Sequence, residues 1–239
     1  MSYINITGAT TLPAEFYVDR NWVQPRKINF FKKHVLARGA HLLLTPASFI
    51  TSAVDTVIGL GAGVGAICTL GKHTQTFKVA CNHLCRSNRL FVRPYVNFLQ
   101  TINPKAKFSG NAANQPYIAR YLGLVKQATI SGDGDGCLSD WVINPLKGIA
   151  RSCYNSDNFL KRHVASRLTY VLLAVSCLVT RAVDGIIGIP AAGLSILTGG
   201  KFESLNNLAF RTLQASGIIS DLFYCTIKFI NPWTGTSNA

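Results

Sequence analysis

The chain has 239 residues, of which 48% are hydrophobic and only 14% are charged. Average globular chains carry about 25% charged residues, so this composition excludes intrinsic disorder over most of the length. The charges are unbalanced, because 24 lysines and arginines stand against 10 acids and give a formal net charge of +14. We expect a chain this apolar and this basic to meet a membrane surface or a polyanion.

The first twenty residues contain no basic segment followed by an apolar one, so no secretory signal peptide is predicted. The seven cysteines are odd in number and irregularly spaced, which does not indicate a disulfide framework. Both observations favour free thiols in a reducing compartment. We therefore expect the protein on the cytosolic face of any membrane that it contacts.

An internal repeat organises the chain. Residues 30–72 align without a gap to residues 159–201, and 18 of the 43 aligned positions are identical. A Trp-Val pair precedes each copy, and an Ile-Asn-Pro motif closes each copy. Such self-similarity predicts two related structural units. The predicted segments are an N-terminal extension (1–21), unit 1 (22–104), a linker (105–140), unit 2 (141–232) and a C-terminal tail (233–239).

Both units are predicted to be mainly α-helical, because their apolar runs are too long for strands. In each unit we expect an apolar helical hairpin with an acid near its middle, Asp55 or Asp184, followed by an amphipathic helix. Sixteen uncharged residues separate each acid from the next lysine. They give about 24 Å of helix, which falls short of the roughly 20 residues that span a bilayer.

Two interpretations of these hairpins remain open. Lysines and arginines flank both ends of each hairpin, which suits a hairpin that enters a membrane and returns to the cytosolic face. Alternatively, the hairpins pack on each other in a soluble core. Asp55 would then pair with Arg38 and Asp184 with Arg167, or each acid would cap a helix.

Two histidines, His34 and His163, stand at equivalent positions beside lysine and arginine residues. No acid or nucleophile at a fixed spacing accompanies them, so we interpret them as interface or capping residues, or as contacts to lipid headgroups. The glycines of residues 59–65 are spaced as in a dinucleotide-binding turn, but the acid that such a site needs about 20 residues further on is absent. We interpret these glycines as positions where helices approach each other closely. The sequence predicts no catalytic residue, no metal site and no cofactor, and hence a protein that is not an enzyme.

A basic amphipathic helix is predicted over residues 77–93, with an end or a bend near Pro94. It lies within a segment, residues 56–132, that contains nine lysines and arginines and no acid. Unit 2 retains little of this charge, so unit 1 is expected to have specialised toward an anionic partner. The residues assigned to this basic face are Lys78, Arg86, Arg89 and Arg93.

The arrangement of a basic flank, a two-lobed apolar segment and a basic return resembles the hydrophobic hairpins of chlamydial inclusion-membrane proteins and related effectors of intracellular bacteria. Residues 36–71 and 168–200 carry this resemblance. It is a likeness of pattern, and it implies association with a membrane. It assigns no site residues.

The sequence thus predicts a membrane-associated scaffold or interaction protein whose basic amphipathic face binds anionic lipid. The alternative is a soluble helical protein that binds nucleic acid or an acidic protein. The predicted partner is an anionic membrane surface, with nucleic acid as the second choice. Protein partners, including a second copy of the chain, are compatible with either role.

Overall fold

The computed structural model describes residues 5–23, 29–84, 89–108 and 138–232, and these parts of the chain are mainly α-helical and contain no strand. The predicted fold class is confirmed. The C-terminal tail and most of the predicted linker lie outside the described residues.

The amino-terminal half comprises residues 5–108 and is built around one long helix. The shorter helices of this half contact the long one along its length. The elements are α1 (Ile6–Ala9), α2 (Thr11–Val18), a π-helical segment (Asp19–Val23), a π-helical turn (Lys32–Leu36) that leads into the long helix α3 (Ala37–Cys68), α4 (Thr74–Leu84) and α5 (Val92–Ile102).

The carboxyl-terminal half comprises residues 138–232 and has a second long helix of the same length. Here too, the shorter helices contact the long one. The elements are α6 (Leu138–Tyr154), a π-helical turn (Lys161–Ala165) that leads into the long helix α7 (Ser166–Leu197), α8 (Glu203–Thr212), a 3₁₀ segment (Leu213–Gly217) and α9 (Ile218–Ile230).

The apolar run of each half forms one continuous helix, and the turn of each hairpin comes later than expected. Asp55 and Asp184 lie inside α3 and α7, and neither acid marks a turn. The chain reverses at residues 69–73 and at residues 198–202. The two arms that were predicted within each apolar run therefore belong to a single helix, α3 or α7. The observed hairpin pairs this long helix with the amphipathic helix that follows it, α4 or α8.

The same kind of turn ends both long helices. The N–H of Gly71 donates to the carbonyl of Ala66 at 2.8 Å, and the N–H of Gly200 donates to the carbonyl of Ser195 at 2.9 Å. Gly71 and Gly200 have φ angles of 69° and 65°. Glycine adopts this left-handed conformation without the steric cost of a Cβ atom. The residue just before it, which ends the helix, is also left-handed: it is Leu70 (φ 52°) after α3 and Gly199 (φ 63°) after α7.

Glycines also allow the two arms of each hairpin to approach closely. A Cβ atom on Gly59 would lie 2.8 Å from the backbone nitrogen of Leu84, and one on Gly188 would lie 2.8 Å from the Oγ1 of Thr212. A Cβ atom on Gly61 would meet nothing within 4 Å. The expectation of close helix contacts is thus confirmed for Gly59, whereas Gly61 lies on an open surface.

The residues before each long helix pack against it. The predicted N-terminal extension, described from Asn5 onward, forms α1 and α2 on α3, while α6 packs on α7. Trp22 lies at the end of the first of these segments, and Trp141 lies in the first turn of α6. The two Trp-Val pairs therefore do not occupy equivalent places in the fold.

Two hydrophobic clusters join the halves near the carboxyl ends of the long helices. In one cluster, Leu99 of α5 packs with Ala191 of α7 and its neighbours. In the other, Ile227 of α9 packs with Ala66 of α3 and its neighbours. The last helix of each half thus completes the core of the other half.

The two Ile-Asn-Pro motifs make a matching exchange of hydrogen bonds. The side-chain amide of Asn103 donates to the carbonyl of Gly199 at 3.0 Å, and that of Asn231 donates to the carbonyl of Leu70 at 3.3 Å. Leu70 and Gly199 are aligned in the sequence repeat. Each motif therefore holds the turn at the end of the other half's long helix.

Candidate functional site

The exposed face of α3 consists of large apolar side chains. Val57, for example, is 69% exposed, and its neighbours along the face recur at spacings of three and four residues. This spacing places them on one side of a helix. We call this set the outer face of α3, and its residues are Leu42, Leu43, Phe49, Ile50, Val54, Val57, Ile58, Leu60 and Val64.

The buried face of α3 is polar or small. No large aliphatic residue belongs to it, which is the reverse of the usual arrangement in a water-soluble helix. The helix is therefore apolar on the outside and polar on the inside. The buried residues of α3 are Ala37, His41, Ser48, Ser52, Asp55, Thr56, Gly59, Gly63 and Ala66.

Helix α7 has the same distribution, although its buried face includes some apolar residues such as Leu173. Ile186 is 71% exposed, and the charged residues Arg181 and Asp184 are both buried. The outer face of α7 consists of Leu168, Val171, Leu172, Val175, Leu178, Val179, Ile186, Ile187, Ile189, Leu194 and Leu197.

Neither outer face carries a charge. In α3 beyond Arg38 the one acid is the buried Asp55, and the charges of α7 beyond Arg167 are buried as well. Among the described residues, the helical stretches Lys32–Cys68 and Lys161–Leu197 are long and apolar enough to cross a membrane by length and composition alone. One third of the residues in an 18-residue apolar segment of each stretch is buried, and the large apolar side chains of the outer faces are exposed.

The buried acid of α3, Asp55, binds the start of the chain. Its carboxylate accepts hydrogen bonds from the backbone N–H groups of Ile6 and Thr7, both at 2.9 Å. The Nδ1 atom of His83 on α4 lies 2.9 Å from the same carboxylate. Asp55 therefore caps α1 and ties both α1 and α4 to α3.

The equivalent acid of α7, Asp184, caps the helix that precedes it. Its carboxylate accepts from the backbone N–H groups of Leu138 and Ser139 at 3.2 and 3.1 Å. Of the two roles left open for these acids, helix capping is the one observed. Pairing with Arg38 or Arg167 is not possible within one helix, because seventeen residues of helix separate each arginine from its acid by about 25 Å.

A cluster of polar side chains fills the space between α2, α3 and α5; we call Glu15, Asp19, His41, Arg93 and Asn97 the polar cluster. Asn97 donates to the Glu15 carboxylate at 2.7 Å, and Arg93 donates to its other oxygen at 2.9 Å. The Nδ1 atom of His41 lies 3.0 Å from the Oδ1 of Asn97, and its Nε2 atom lies 3.5 Å from Asp19. These contacts hold α2 and the π-helical segment after it to the two other helices.

His41 is fully buried within this cluster. Burial of the ring disfavours its protonation, but the adjacent Asp19 carboxylate, the hydrogen bond with Asn97 and the charge of Glu15 outweigh that effect. Together they raise the pKa of His41 above its ordinary value. The two carboxylates of the polar cluster therefore favour protonation of this buried imidazole.

In the described part of the other half, a hydrophobic cluster occupies the place that the repeat aligns with the polar cluster. Ser48 borders the polar cluster, because its hydroxyl accepts from Asn97 at 3.4 Å. The repeat aligns His41 with Tyr170 and Ser48 with Cys177. Tyr170 and Cys177 belong to a hydrophobic cluster with Cys225. A hydrogen bond with Cys177 and, next to it, burial raise the pKa of the Cys225 thiol. Sequence analysis missed the polar cluster, although the His41–Tyr170 difference between the two copies was a signal for it.

The predicted basic helix is divided into two helices. Helix α4 ends at Leu84, α5 begins at Val92, and Pro94 lies in the first turn of α5, where its missing N–H costs little. Arg93 is bound to Glu15 in the polar cluster, so the prediction that it lies on an open basic face is wrong.

The other residues assigned to that face have different surroundings. Lys78 is exposed, Arg89 is partly buried, and Arg86 lies outside the described residues. Among the described residues of the predicted basic face, Lys78 is therefore the exposed cation.

The repeated histidines, His34 and His163, lie in the π-helical turns at the starts of the long helices. Each ring stacks on a phenylalanine four residues earlier, Phe30 or Phe159, with 4.5 Å between ring centroids. Both histidines are partly exposed. They belong to the surface of the helix ends, and the buried polar cluster does not include them.

Comparison of the chain with known protein families, with curated proteins and with solved structures finds no match. The resemblance to chlamydial inclusion-membrane proteins therefore stays a prediction. The function has to be inferred from the arrangement of the residues themselves.

Proposed function

We propose that the protein is a membrane-associated scaffold that lies on the cytosolic face of a membrane. The outer faces of α3 and α7 contact the lipid, and the shorter helices face the water. The observation that carries this proposal is the inverted distribution of side chains on α3, whose polar residues are buried while its large apolar residues are exposed. Water penalises such an outer face, whereas hydrocarbon favours it.

The dimensions favour a position along the surface. A helix of 32 residues is about 48 Å long, and the hydrocarbon core of a bilayer is about 30 Å thick. Exposed polar residues such as Lys78 on α4 and Glu203 on α8 belong to the short helices packed on the long ones. Helices that combine an apolar face with a polar side lie in the interfacial plane.

The proposal is tested by flotation with vesicles of phosphatidylcholine, alone and in an equal mixture with phosphatidylserine. The wild-type protein is expected to float with the mixed vesicles. Val57→Glu combined with Ile186→Glu places one acid on each outer face and is expected to weaken binding by about 2 kcal/mol per substitution. Gln75→Glu combined with Ser204→Glu is the matched control, because both residues are exposed on the short helices and the change in net charge is the same.

Three outcomes would contradict the proposal. The first is a wild-type protein that stays monomeric and does not float with either kind of vesicle. The second is equal binding by the outer-face variant and its control. The third is salt-sensitive binding to unrelated DNA duplexes without any binding to vesicles, which would favour the nucleic-acid alternative.

A further inference from the structure

The start of the first long helix exposes aromatic and basic side chains together. We call residues Phe30–His34 the first tip. Phe30 and Phe31 are 74% and 54% exposed. Lys32 and Lys33 follow them, and neither lysine forms an ion pair with any of the described residues. Bulky apolar side chains beside cations are typical of segments at a membrane–water interface.

The start of the second long helix has the same composition, and we call residues Phe159–His163 the second tip. Phe159 and Leu160 are 69% and 66% exposed. The basic residues here are Lys161 and Arg162, and the Arg162 guanidinium lies 6.0 Å from the ring of Tyr154. The two tips occupy aligned positions in the repeat.

Basic side chains of both tips lie at the amino-terminal end of a helix. The amino-terminal end of a helix carries a partial positive charge, so cations there are repelled and anions are attracted. The π-helical turns of both tips contain basic residues and no acid, and the acid nearest in sequence is Asp157, two residues before the second tip. Asn29 and Asn158 cap the backbone N–H groups of Phe31 and Leu160, so an anion at either tip would be held by the cations of that tip.

The tips lie far from the contact between the halves. That contact involves residues near the carboxyl ends of α3 and α7, such as Ala66 and Ala191. About 30 residues of helix, or about 45 Å, separate each tip from it. Two equivalent binding ends on one molecule give a bivalent attachment, in which the second contact forms more readily than the first.

We propose that the two tips bind the phosphate groups of anionic lipids as a bivalent pair. Phe30, Phe31, Phe159 and Leu160 enter the interface, while the neighbouring cations contact the headgroups. This inference rests on the proposed function, and it places the recognition of anionic lipid at the helix ends instead of on α4. The outer faces supply the apolar part of binding, which does not depend on lipid charge.

The test measures affinity for the same two kinds of vesicle. One variant combines Lys32→Gln with Lys33→Gln, a second combines Lys161→Gln with Arg162→Gln, and a third carries all four changes. The matched control combines Lys105→Gln with Lys107→Gln, which removes two exposed cations outside the tips.

Each cation near an anionic surface contributes about fivefold to binding, so each two-site variant is expected to lose about 30-fold in affinity for the mixed vesicles. The four-site variant is expected to lose about the product of the two losses and to show a weaker dependence on salt. The control is expected to lose less than either tip variant. Affinity for vesicles of phosphatidylcholine alone should change little in every variant.

The proposal is overturned if the tip variants and the control lose the same affinity, because the cations would then act only through net charge. It is also overturned if the four-site variant binds the mixed vesicles as well as the wild type does. In both cases a loss of binding by the outer-face variant, Val57→Glu with Ile186→Glu, would leave the proposed membrane association intact.

Discussion

Asp55 and Asp184 illustrate how single buried residues connect the helices of this protein. Each carboxylate accepts two backbone hydrogen bonds from the start of a helix that packs on its own helix. Buried carboxylates are tolerated only when they are hydrogen-bonded in this way. The same residues explain why polar side chains are found on the inner side of apolar helices.

Substitution of Asp55 by alanine is expected to destabilise the protein by about 3 kcal/mol or more. The change leaves the N–H groups of Ile6 and Thr7 without their acceptor and removes the partner of His83, and each unsatisfied buried group costs about 1–3 kcal/mol. Urea unfolding followed by circular dichroism measures the loss. Asp157→Ala, at an exposed position, is the control and should change stability by less than about 0.5 kcal/mol. A similar small effect for Asp55→Ala would contradict the capping role.

The raised pKa of His41 predicts a pH dependence of stability. A group whose pKa is higher in the folded state stabilises that state below its unfolded pKa of about 6.5, and this contribution disappears as the pH rises through the folded pKa. The free energy of unfolding should therefore fall as the pH rises from about 6.5 through the higher pKa of the folded state. The fall should be smaller in the His41→Gln variant than in the wild type. In the control variant His73→Gln, which replaces an exposed histidine, the fall should be as large as in the wild type. Identical pH profiles for the wild type and His41→Gln would show that this histidine does not link folding to protonation.

The sequence shows the repeated residues but not their partners. Asp55, Asp184, His34 and His163 could be selected because they recur at one offset. The polar cluster could not be found in this way, because its members come from three separate segments and occur in one copy. Arg93 was assigned to an exposed basic face because nothing in its local sequence indicates an ion pair with the distant Glu15.

At the level of elements, the main feature of the two long helices is that their polar side is buried and their apolar side is exposed. A helical period was predictable from the apolar runs, but the period alone does not tell whether water, lipid or protein covers the apolar side. The continuous course of α3 and α7 was also missed, because the central acids suggested a turn. Both acids point inward and are satisfied there, so the helices pass through these positions without a break.

Substitutions at two glycines of α3 allow its buried side to be compared with its exposed side. Gly59→Ala is expected to destabilise the protein by about 1–3 kcal/mol, because its Cβ atom would overlap the backbone of Leu84. Gly61→Ala has open space around it and should stabilise the helix by up to about 1 kcal/mol. Thermal or urea unfolding of both variants measures the difference. Equal effects at the two sites would mean that α4 does not pack against Gly59 as described.

At the level of the whole molecule, the two halves depend on each other. Each half contributes its last helix to the other's core and holds the other's turn through an asparagine, Asn103 or Asn231. The Ile-Asn-Pro motifs were visible in the sequence as the ends of the two copies, but their exchange between the halves was not. This contact fixes the carboxyl ends of the two long helices and leaves the tips at their far ends.

The central claim is that lipid covers the outer faces of α3 and α7. The most direct test places a photoreactive amino acid at Val57 or Ile186 on these faces, and at Gln75 or Ser204 on the short helices, with the protein bound to mixed phosphatidylcholine and phosphatidylserine vesicles. Illumination is expected to give lipid adducts at positions 57 and 186 and few or none at positions 75 and 204. Adducts between two copies of the chain at positions 57 and 186, without lipid adducts, would contradict the claim and show that protein covers these faces.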